Sequence, residues 1–321
     1  MTDSEYMLPD GLLLSALQMT EATAIAAAAH RGRGDEPAAM AAAAQMLLAE
    51  LDRLEADGRI MVGDSEMEDE RLMVGTRVGT GGPRIDLAVS PLEGATLCAK
   101  ALPNALSAVV MGLPDSLLSV PDVYMEKIAI GPGYPEGLVD LDMSPADNLQ
   151  ALAEAKGVQP KDITVCVLDR PRHGNLIAAL RETGAAVRLI SDGDIAAVIE
   201  TARADLTGLD IYMGMGGAPE GLIAAAALRC MGGRMQARLT PLNNDQRQLV
   251  AASGLDPQRK YRADELAAGD IVFSATGISG GALLRGILSD ANGIHTHTLA
   301  MRSARGSVRW VSSQHKHLPV A

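Results

Sequence analysis

The sequence is poor in aromatic residues, which make up 2% of its 321 positions, with one Trp, one Phe and five Tyr. Proteins that hold single-stranded nucleic acid stack its bases on aromatic rings, so this composition argues against such a partner. Basic residues are also fewer than acidic ones: the sequence has 28 Lys and Arg but 40 Asp and Glu, which gives a formal net charge of −12. That field repels a phosphate backbone, and no nucleic-acid partner is expected.

Cysteine is scarce as well. Cys98, Cys166 and Cys230 are far apart, odd in number and without CxxC spacing, which predicts buried, reduced residues rather than a disulfide framework. The first ten residues, MTDSEYMLPD, carry acids where a signal peptide has a basic region, and the longest apolar runs look too short for a membrane span. These features predict a cytoplasmic protein with no membrane partner.

The sequence does contain a large aliphatic fraction, since hydrophobic residues make up 47% of it and 33 Gly supply turns. Helical spacing predicts two helices, over 10–31 and 35–56, with Asp35 as N-cap and Pro37 in the first turn of the second. Two short apolar strands then run into acidic loops, RIMVGDSEMEDE and RIDLAVSPLEGATL. Two further strands are predicted over 104–113 and 123–131.

From about residue 145 predicted strands and helices alternate regularly, which favours βαβ units in a mostly parallel or mixed sheet and an α/β fold class. Beyond residue 258 we predict one strand, DIVFSATGI, and a polar tail. His295, His297, His315 and His317 alternate in that tail, and we interpret them as solvated rather than metal-binding. The predicted halves, 1–145 and 146–321, form one compact unit with two sheets.

Five loops follow predicted strands and carry polar residues, as ligand-binding loops of α/β sheets do. They are VGDSE (Asp64, Glu66), VSPLEGAT (Ser90, Glu93), LDRPRH (Arg170, Arg172, His173), SDGD (Asp192, Asp194) and GMGGAPEG (Gly216, Gly217, Glu220). Carboxylates suit Mg²⁺ or Mn²⁺, and arginines with glycine-rich turns suit phosphate. Each loop also has a simpler interpretation, as a solvated turn, a helix cap or tight strand–helix packing.

Several long stretches nevertheless resemble one family, the class II fructose-1,6-bisphosphatases, of the bacterial lithium-sensitive sugar phosphatase type. They are PDVYMEKIAIGPGYP, LDRPRHGNLIAALRETGAAVRLISDGD, YMGMGGAPEGLIAAAALRCMGG and DIVFSATGI. The resemblance implies a layered α-β-α-β-α fold with two sheets, a homo-oligomer, and hydrolysis of the 1-phosphate of fructose 1,6-bisphosphate with Mn²⁺ or Mg²⁺. Some relatives also accept sedoheptulose 1,7-bisphosphate.

The resemblance also assigns site residues by position. It implies a sugar-bisphosphate site formed by Glu93, Gly94, Ala95, Tyr124, Arg170, Pro171, Arg172, Asp192, Gly193, Asp194 and Gly217. It implies that Asp64, Glu93 and Glu220 are the catalytic metal ligands.

The metal side departs from the family pattern. The family's acids are replaced by Met40 and Ser90, its first GEGE glutamate is the shorter Asp64, and its water-positioning threonine is Ala95. Metal-assisted phosphoryl hydrolysis needs anionic ligands to hold its cations, so these losses weaken the site. Substitute ligands are conceivable: Ser90, Glu66, Glu68 or Asp69, or Asp35 and Glu36 if the helix carrying Met40 shifts register.

Two hypotheses follow for function. The first is a working fructose-1,6-bisphosphatase of gluconeogenesis. The second is a catalytically degenerate relative that binds sugar phosphate, or regulates an active relative in a mixed oligomer.

Overall fold

The computed structural model describes residues 7–63 and 70–316 and shows a mixed α/β fold with two sheets. The helices are α1 (Gly11–Ala28), α2 (Glu36–Leu51), α3 (Ala95–Ala99), α4 (Pro145–Lys156), α5 (Gly174–Glu182), α6 (Asp194–Glu200), α7 (Ala204–Thr207), α8 (Ala218–Cys230), α9 (Asn244–Ser253) and α10 (Ala263–Leu266). The strands are β1 (Asp57–Val62), β2 (Arg77–Val78), β3 (Arg84–Glu93), β4 (Leu106–Gly112), β5 (Tyr124–Ile130), β6 (Thr164–Leu168), β7 (Ala186–Ile190), β8 (Ile211–Gly217), β9 (Arg234–Leu239), β10 (Tyr261–Arg262), β11 (Ile271–Gly277), β12 (Leu288–Asp290), β13 (Gly293–Arg302) and β14 (Ser307–His315). The predicted α/β class is confirmed.

The chain divides into two compact units whose boundaries differ from the predicted division at 145/146. The first comprises Met1–Leu117 and Ala268–Ala321, and the second comprises Leu118–Ala267. The physical reason is strand pairing. β11 pairs with β4 along its whole length, which returns the C-terminal segment to the first sheet. β5 pairs instead with β8 and β9, which assigns the segment before 145 to the second unit.

The first unit contains an eight-stranded sheet in the order β12-β13-β11-β4-β3-β1-β2, with β14 beside β13. Its pairs are antiparallel except β1 with β3. Helix α1 packs against α2 and against β11, β4 and β13, and the aliphatic core between helices and sheet includes Leu47, Leu87 and Met111.

Helix α1 requires a correction to the expectation about apolar runs. Its 18 residues have a mean hydropathy of 1.3, so by length and composition it could span a membrane. Its contacts explain the hydropathy differently, because it covers the sheet of its own unit. Its buried Glu21 accepts a hydrogen bond from Thr296 on β13 at 2.7 Å, and its Thr20 bonds Ser274 on β11 at 2.8 Å. α1 is therefore placed as a core helix.

The predicted polar tail was wrong as far as the structure describes it, because residues 293–315 form β13 and β14. His295 lies on β13, 3.2 Å from a carboxylate oxygen of Asp290. His315 lies on β14, 3.5 Å from Glu21. His317 lies outside the described residues. The three cysteines are buried and form no disulfide bond among the described residues, as predicted.

The second unit contains a six-stranded mixed sheet in the order β10-β9-β5-β8-β6-β7. β6 is parallel to β7 and to β8, so all three strands end at the same edge. β5 is antiparallel to β8, and Tyr124 at its start pairs with Gly217 at the end of β8. This topology brings the loops after β6, β7 and β8 and the start of β5 to one edge of the sheet.

Candidate sugar-phosphate site

Two contacts hold the Arg172 side chain in place at this edge of the sheet in the second unit. The loop after β6 forms a 3₁₀ turn over Pro171–His173, which presents Arg172 on the surface. Its guanidinium carbon lies 4.7 Å from the centroid of the Tyr124 ring, and its Nη2 donates to the Met215 carbonyl at 2.8 Å. Neither contact neutralises the charge, and no carboxylate among the described residues pairs with it. A cation oriented in this way suits an anionic ligand.

His173 supports this turn rather than serving as a free phosphate ligand. Its Nδ1 lies 2.7 Å from the Leu168 carbonyl, and the Met215 N–H donates to its Nε2 at 2.8 Å. The two bonds together require a neutral imidazole with its proton on Nδ1. Burial lowers the pKa of His173, which agrees with that neutral form. His173 thus ties the end of β6 to β8 and positions Arg172 beside Met215.

The two acids of the loop after β7 have different surroundings. Asp194 is buried at 5% exposure and accepts a bond from Lys127 Nζ, while the Tyr212 hydroxyl lies 3.4 Å from it. Asp192 is half-buried and accepts from the N–H of Gly193 at 2.9 Å. Gly193 has φ of +84°, a conformation that favours glycine. Asp194 therefore anchors the turn, and Asp192 is the acid closer to solvent.

The end of β8 brings Gly217 against Glu220. A Cβ built on Gly217 would lie 1.9 Å from Glu220 Oε2, so any larger residue would displace this carboxylate. Burial of the carboxyl raises the pKa of Glu220 to about 7; the charge of Asp194 adds to the rise and Lys127 opposes it. Part of the residue remains accessible to solvent. A bound cation would stabilise the ionised form of a carboxylate whose pKa is raised in this way, because it would replace the proton.

Lys127 is the functional residue that sequence reasoning missed. Its side chain is wholly buried and bridges the Asp194 carboxylate and the Gly217 carbonyl, the latter at 3.2 Å. A lysine inside the apolar run of a central strand was the available signal, since a buried charge needs a dedicated partner. Lys127 thus joins Asp194 to Gly217; Gly217 is the strand partner of Tyr124, and Arg172 lies over the Tyr124 ring. These four residues and Lys127 form the cluster discussed below. A cleft of about 250 Å³, lined by Lys127, Arg172 and Met215 among others, opens beside them.

Arg170 is exposed, and its side chain makes no hydrogen bond or ion pair among the described residues. Pro171 is the first residue of the 3₁₀ turn. Their contact with a ligand stays a prediction.

Ser90 and Glu93, which belong to the predicted metal site, lie at the end of β3 in the first unit. A β-bulge separates Ser90 from Glu93, and Gly94, with φ of +78°, turns the chain into α3, which begins at Ala95. Glu93 is buried at 6% exposure and Ser90 is half-buried. The predicted loop residues Asp64, Glu66, Glu68 and Asp69 lie outside the described residues.

Helix α2 begins in the register that ungapped counting predicts. Asp35 caps it by accepting from the Ala38 N–H at 2.9 Å, and Glu36 accepts from the Thr96 hydroxyl at 3.0 Å. Met40 packs against an apolar cluster that includes Leu92 and Leu97. Both carboxylates thus have hydrogen-bond partners at the start of the helix, whereas Met40 lies in an apolar environment.

The carboxylates do not assemble a metal centre by themselves. Among residues 7–63 and 70–316, no group of three or more His, Cys, Asp or Glu side chains is arranged to hold a cation. Of the predicted ligands, the described residues include Glu93 in the first unit and Glu220 in the second. Each unit therefore contains one described carboxylate of the predicted set, whereas the paired cations of metal-assisted phosphoryl hydrolysis need several anionic ligands.

Comparison with known proteins extends the match to nearly the whole chain. The family model for bacterial fructose-1,6-bisphosphatase, glpX-encoded, matches residues 10–315. A protein of Synechococcus sp. (strain JA-3-3Ab) named D-fructose 1,6-bisphosphatase class 2/sedoheptulose 1,7-bisphosphatase is 36% identical, with 94% of each chain covered. Fructose-1,6-bisphosphatase 1 class 2 of Escherichia coli (strain K12) is also 36% identical, with 93% of each chain covered. The chain therefore belongs to the bacterial fructose-1,6-bisphosphatase family encoded by glpX.

Proposed function

We propose that this protein recognises fructose 1,6-bisphosphate through the cluster in its second unit, and that hydrolysis of the 1-phosphate in gluconeogenesis is its first candidate activity. The observation that carries the proposal is the Arg172 guanidinium, held on the Tyr124 ring and the Met215 carbonyl with its charge uncompensated. The names of the relatives support the substrate class.

The chain's own residues have distinct tasks in this proposal. Arg172 binds a phosphate, and Tyr124 and Met215 hold its guanidinium in place. Asp192 offers an acceptor for a sugar hydroxyl, while Lys127 keeps Asp194 and the Gly217 turn in position. The family is metal-dependent, and we propose Mn²⁺ or Mg²⁺ as the cofactor of the hydrolysis, where it would supply charge stabilisation for phosphoryl transfer.

A second candidate is sugar-phosphate binding without turnover. It is favoured by the packing of Met40 in an apolar cluster and by Ser90 and Ala95 at positions where the family has an acid and a threonine. By comparison, the residues that the resemblance assigns to the phosphosugar, Tyr124, Arg172, Asp194 and Gly217, are all present in the sequence, which supports retained binding. We propose a cytoplasmic homo-oligomer for the first candidate, and a mixed oligomer with an active relative as one setting for the second.

The test measures phosphate release from fructose 1,6-bisphosphate, with and without Mn²⁺ or Mg²⁺, and binding of the same ligand by calorimetry. The Met40→Asp/Ser90→Asp/Ala95→Thr variant runs beside the natural protein, and Arg172→Gln is the binding control. Metal-dependent release by the natural protein would establish the first candidate. Binding without release, with release gained by the triple variant, would establish the second. Equal or absent binding in the natural protein and in Arg172→Gln would overturn the recognition site itself.

A further inference from the structure

A second cavity lies in the second unit, at the other end of β5 from Tyr124. It has a volume of about 230 Å³. Four of its lining residues, Ile128, Ile130, Val139 and Met235, are buried and form an apolar floor. β5 runs from Tyr124 to Ile130, and six steps of about 3.3 Å place the two ends roughly 20 Å apart. Ile128 lines both this cavity and the cleft beside Arg172, while Arg234 pairs with Ile130 at one end of β5 and Arg172 lies over Tyr124 at the other.

Two arginines at this cavity contact backbone carbonyls rather than carboxylates. Arg229 Nη1 donates to the Ala267 carbonyl at 2.9 Å, and Arg234 Nε lies 3.4 Å from the Tyr134 carbonyl. Neither guanidinium forms an ion pair among the described residues. Carbonyl contacts orient a guanidinium without neutralising it, so both remain available to an anion.

The acids that line the same cavity are engaged by a third arginine. Arg262 lies 3.0 Å from Glu136 and 3.1 Å from Asp264. Three arginines and two carboxylates therefore leave the cavity with one positive charge in excess. In a protein with a net charge of −12, such a local surplus favours an anionic ligand over a cationic one.

The loop that closes the cavity adds backbone donors. Within the described part of the chain, the N–H groups of Glu136, Gly137 and Val139 have no protein acceptor. Val139 is buried at 6% exposure, so its N–H is largely shielded from bulk water. Buried N–H groups are nearly always paired in folded proteins, and adjacent unpaired donors are a common feature of anion sites.

We propose that this cavity is a binding site for a small organic phosphate. Its phosphate would contact Arg229, Arg234 and the loop N–H groups, and its apolar part would cover the floor formed by Ile128 and Ile130. A carboxylate has fewer acceptor oxygens than these donors can satisfy, which is why a phosphate is the better match. Its charged residues differ from those proposed for the sugar bisphosphate, although Ile128 lines both cavities.

The test uses phenyl phosphate and inorganic phosphate as probes in an Arg172→Gln background, where the proposed sugar-phosphate site lacks its cation. Binding is followed by calorimetry and by amide shifts of Gly137 in NMR spectra. Arg234→Gln in this background is expected to weaken phenyl phosphate binding about tenfold or more, because a charge-assisted contact is lost. Arg247→Gln, at an exposed position on α9, is the matched control and should change nothing.

Because the cavity has an apolar floor, phenyl phosphate is also expected to bind more tightly than inorganic phosphate. Equal affinities would overturn the organic part of the proposal and leave an adventitious ion only. Absence of binding, or binding that Arg234→Gln does not weaken in a protein with an unchanged melting temperature, would overturn the site. Arg234 is exposed, so its substitution is not expected to impair folding.

Discussion

Replacing Lys127 by Met should destabilise the second unit strongly and should also impair its sugar-phosphate cluster. Met has a similar length and removes only the charge and its hydrogen bonds. The change leaves the Asp194 carboxylate buried without its lysine partner, beside the Tyr212 hydroxyl at 3.4 Å. It also removes the donor to the Gly217 carbonyl.

The magnitude follows from the burial of both charges. The Lys127 side chain is 0% exposed and that of Asp194 is 7% exposed, so neither charge is solvated once its partner is gone. Breaking a buried pair by removing one partner typically costs about 3–5 kcal/mol. Removing both charges avoids the orphaned carboxylate, so Lys127→Met/Asp194→Asn should be less destabilised than Lys127→Met alone.

The assay is urea unfolding followed by circular dichroism, with Lys161→Met as the control. Lys161 is exposed, and its loss should change the free energy of unfolding by no more than about 0.5 kcal/mol. Affinity for fructose 1,6-bisphosphate is measured on the same variants, because Asp194 and the Gly217 turn depend on Lys127. A loss below about 1 kcal/mol for Lys127→Met, or a double variant as unstable as the sum of the single variants, would refute the reasoning.

Three further predictions concern the rest of the chain. Arg172→Gln should weaken binding of fructose 1,6-bisphosphate at least about tenfold, and Tyr124→Leu should weaken it less, as calorimetry would show. The pKa of Glu220 is raised from 4.5 to about 7, so the folded state holds this proton more tightly than the unfolded chain. The free energy of unfolding should therefore fall as pH rises through that window, and Glu220→Gln should remove roughly 1–3 kcal/mol of the fall. Arg302 is buried beside buried Asp270 at 2.7 Å, and Arg302→Met should cost about 3–5 kcal/mol in urea unfolding.

Each of these predictions has a result that contradicts it. Unchanged affinity in Arg172→Gln would remove this arginine from the site. A pH profile of Glu220→Gln that parallels the natural protein would show that the carboxyl is not the titrating group. If Arg302→Met unfolds at the same urea concentration as the natural protein, the buried ion pair does not stabilise the first unit.

The alternation of strand and helix between 145 and 230 could be predicted from sequence because each element there has its own local signal. Apolar runs mark β6 and β8, and glycine ends α4 at Gly157 with φ of +70°. The Asp35 cap and Pro37 likewise marked the start of α2. These signals act within a few residues, so no long-range contact is needed to detect them.

Strands β13 and β14 escaped prediction because their burial depends on distant partners. Thr296 and Thr298 are polar, yet both are buried against Glu21 of α1, about 275 residues earlier in the chain. Hydropathy therefore indicated a polar tail. The division into units escaped prediction for the same reason, since β11 joins β4 through pairing that no local pattern shows.

The sequence by itself determined the fold class and the family, and it predicted the phosphate-binding loops, because these features reside in local patterns and motif residues. The tertiary structure decided how the side chains of these loops are held. It made His173 a support, tied Asp194 to Lys127 and left Arg172 with no acid partner among the described residues. Those roles depend on which atoms meet across neighbouring strands, and pairing and burial set this over distances that no local stretch of sequence contains.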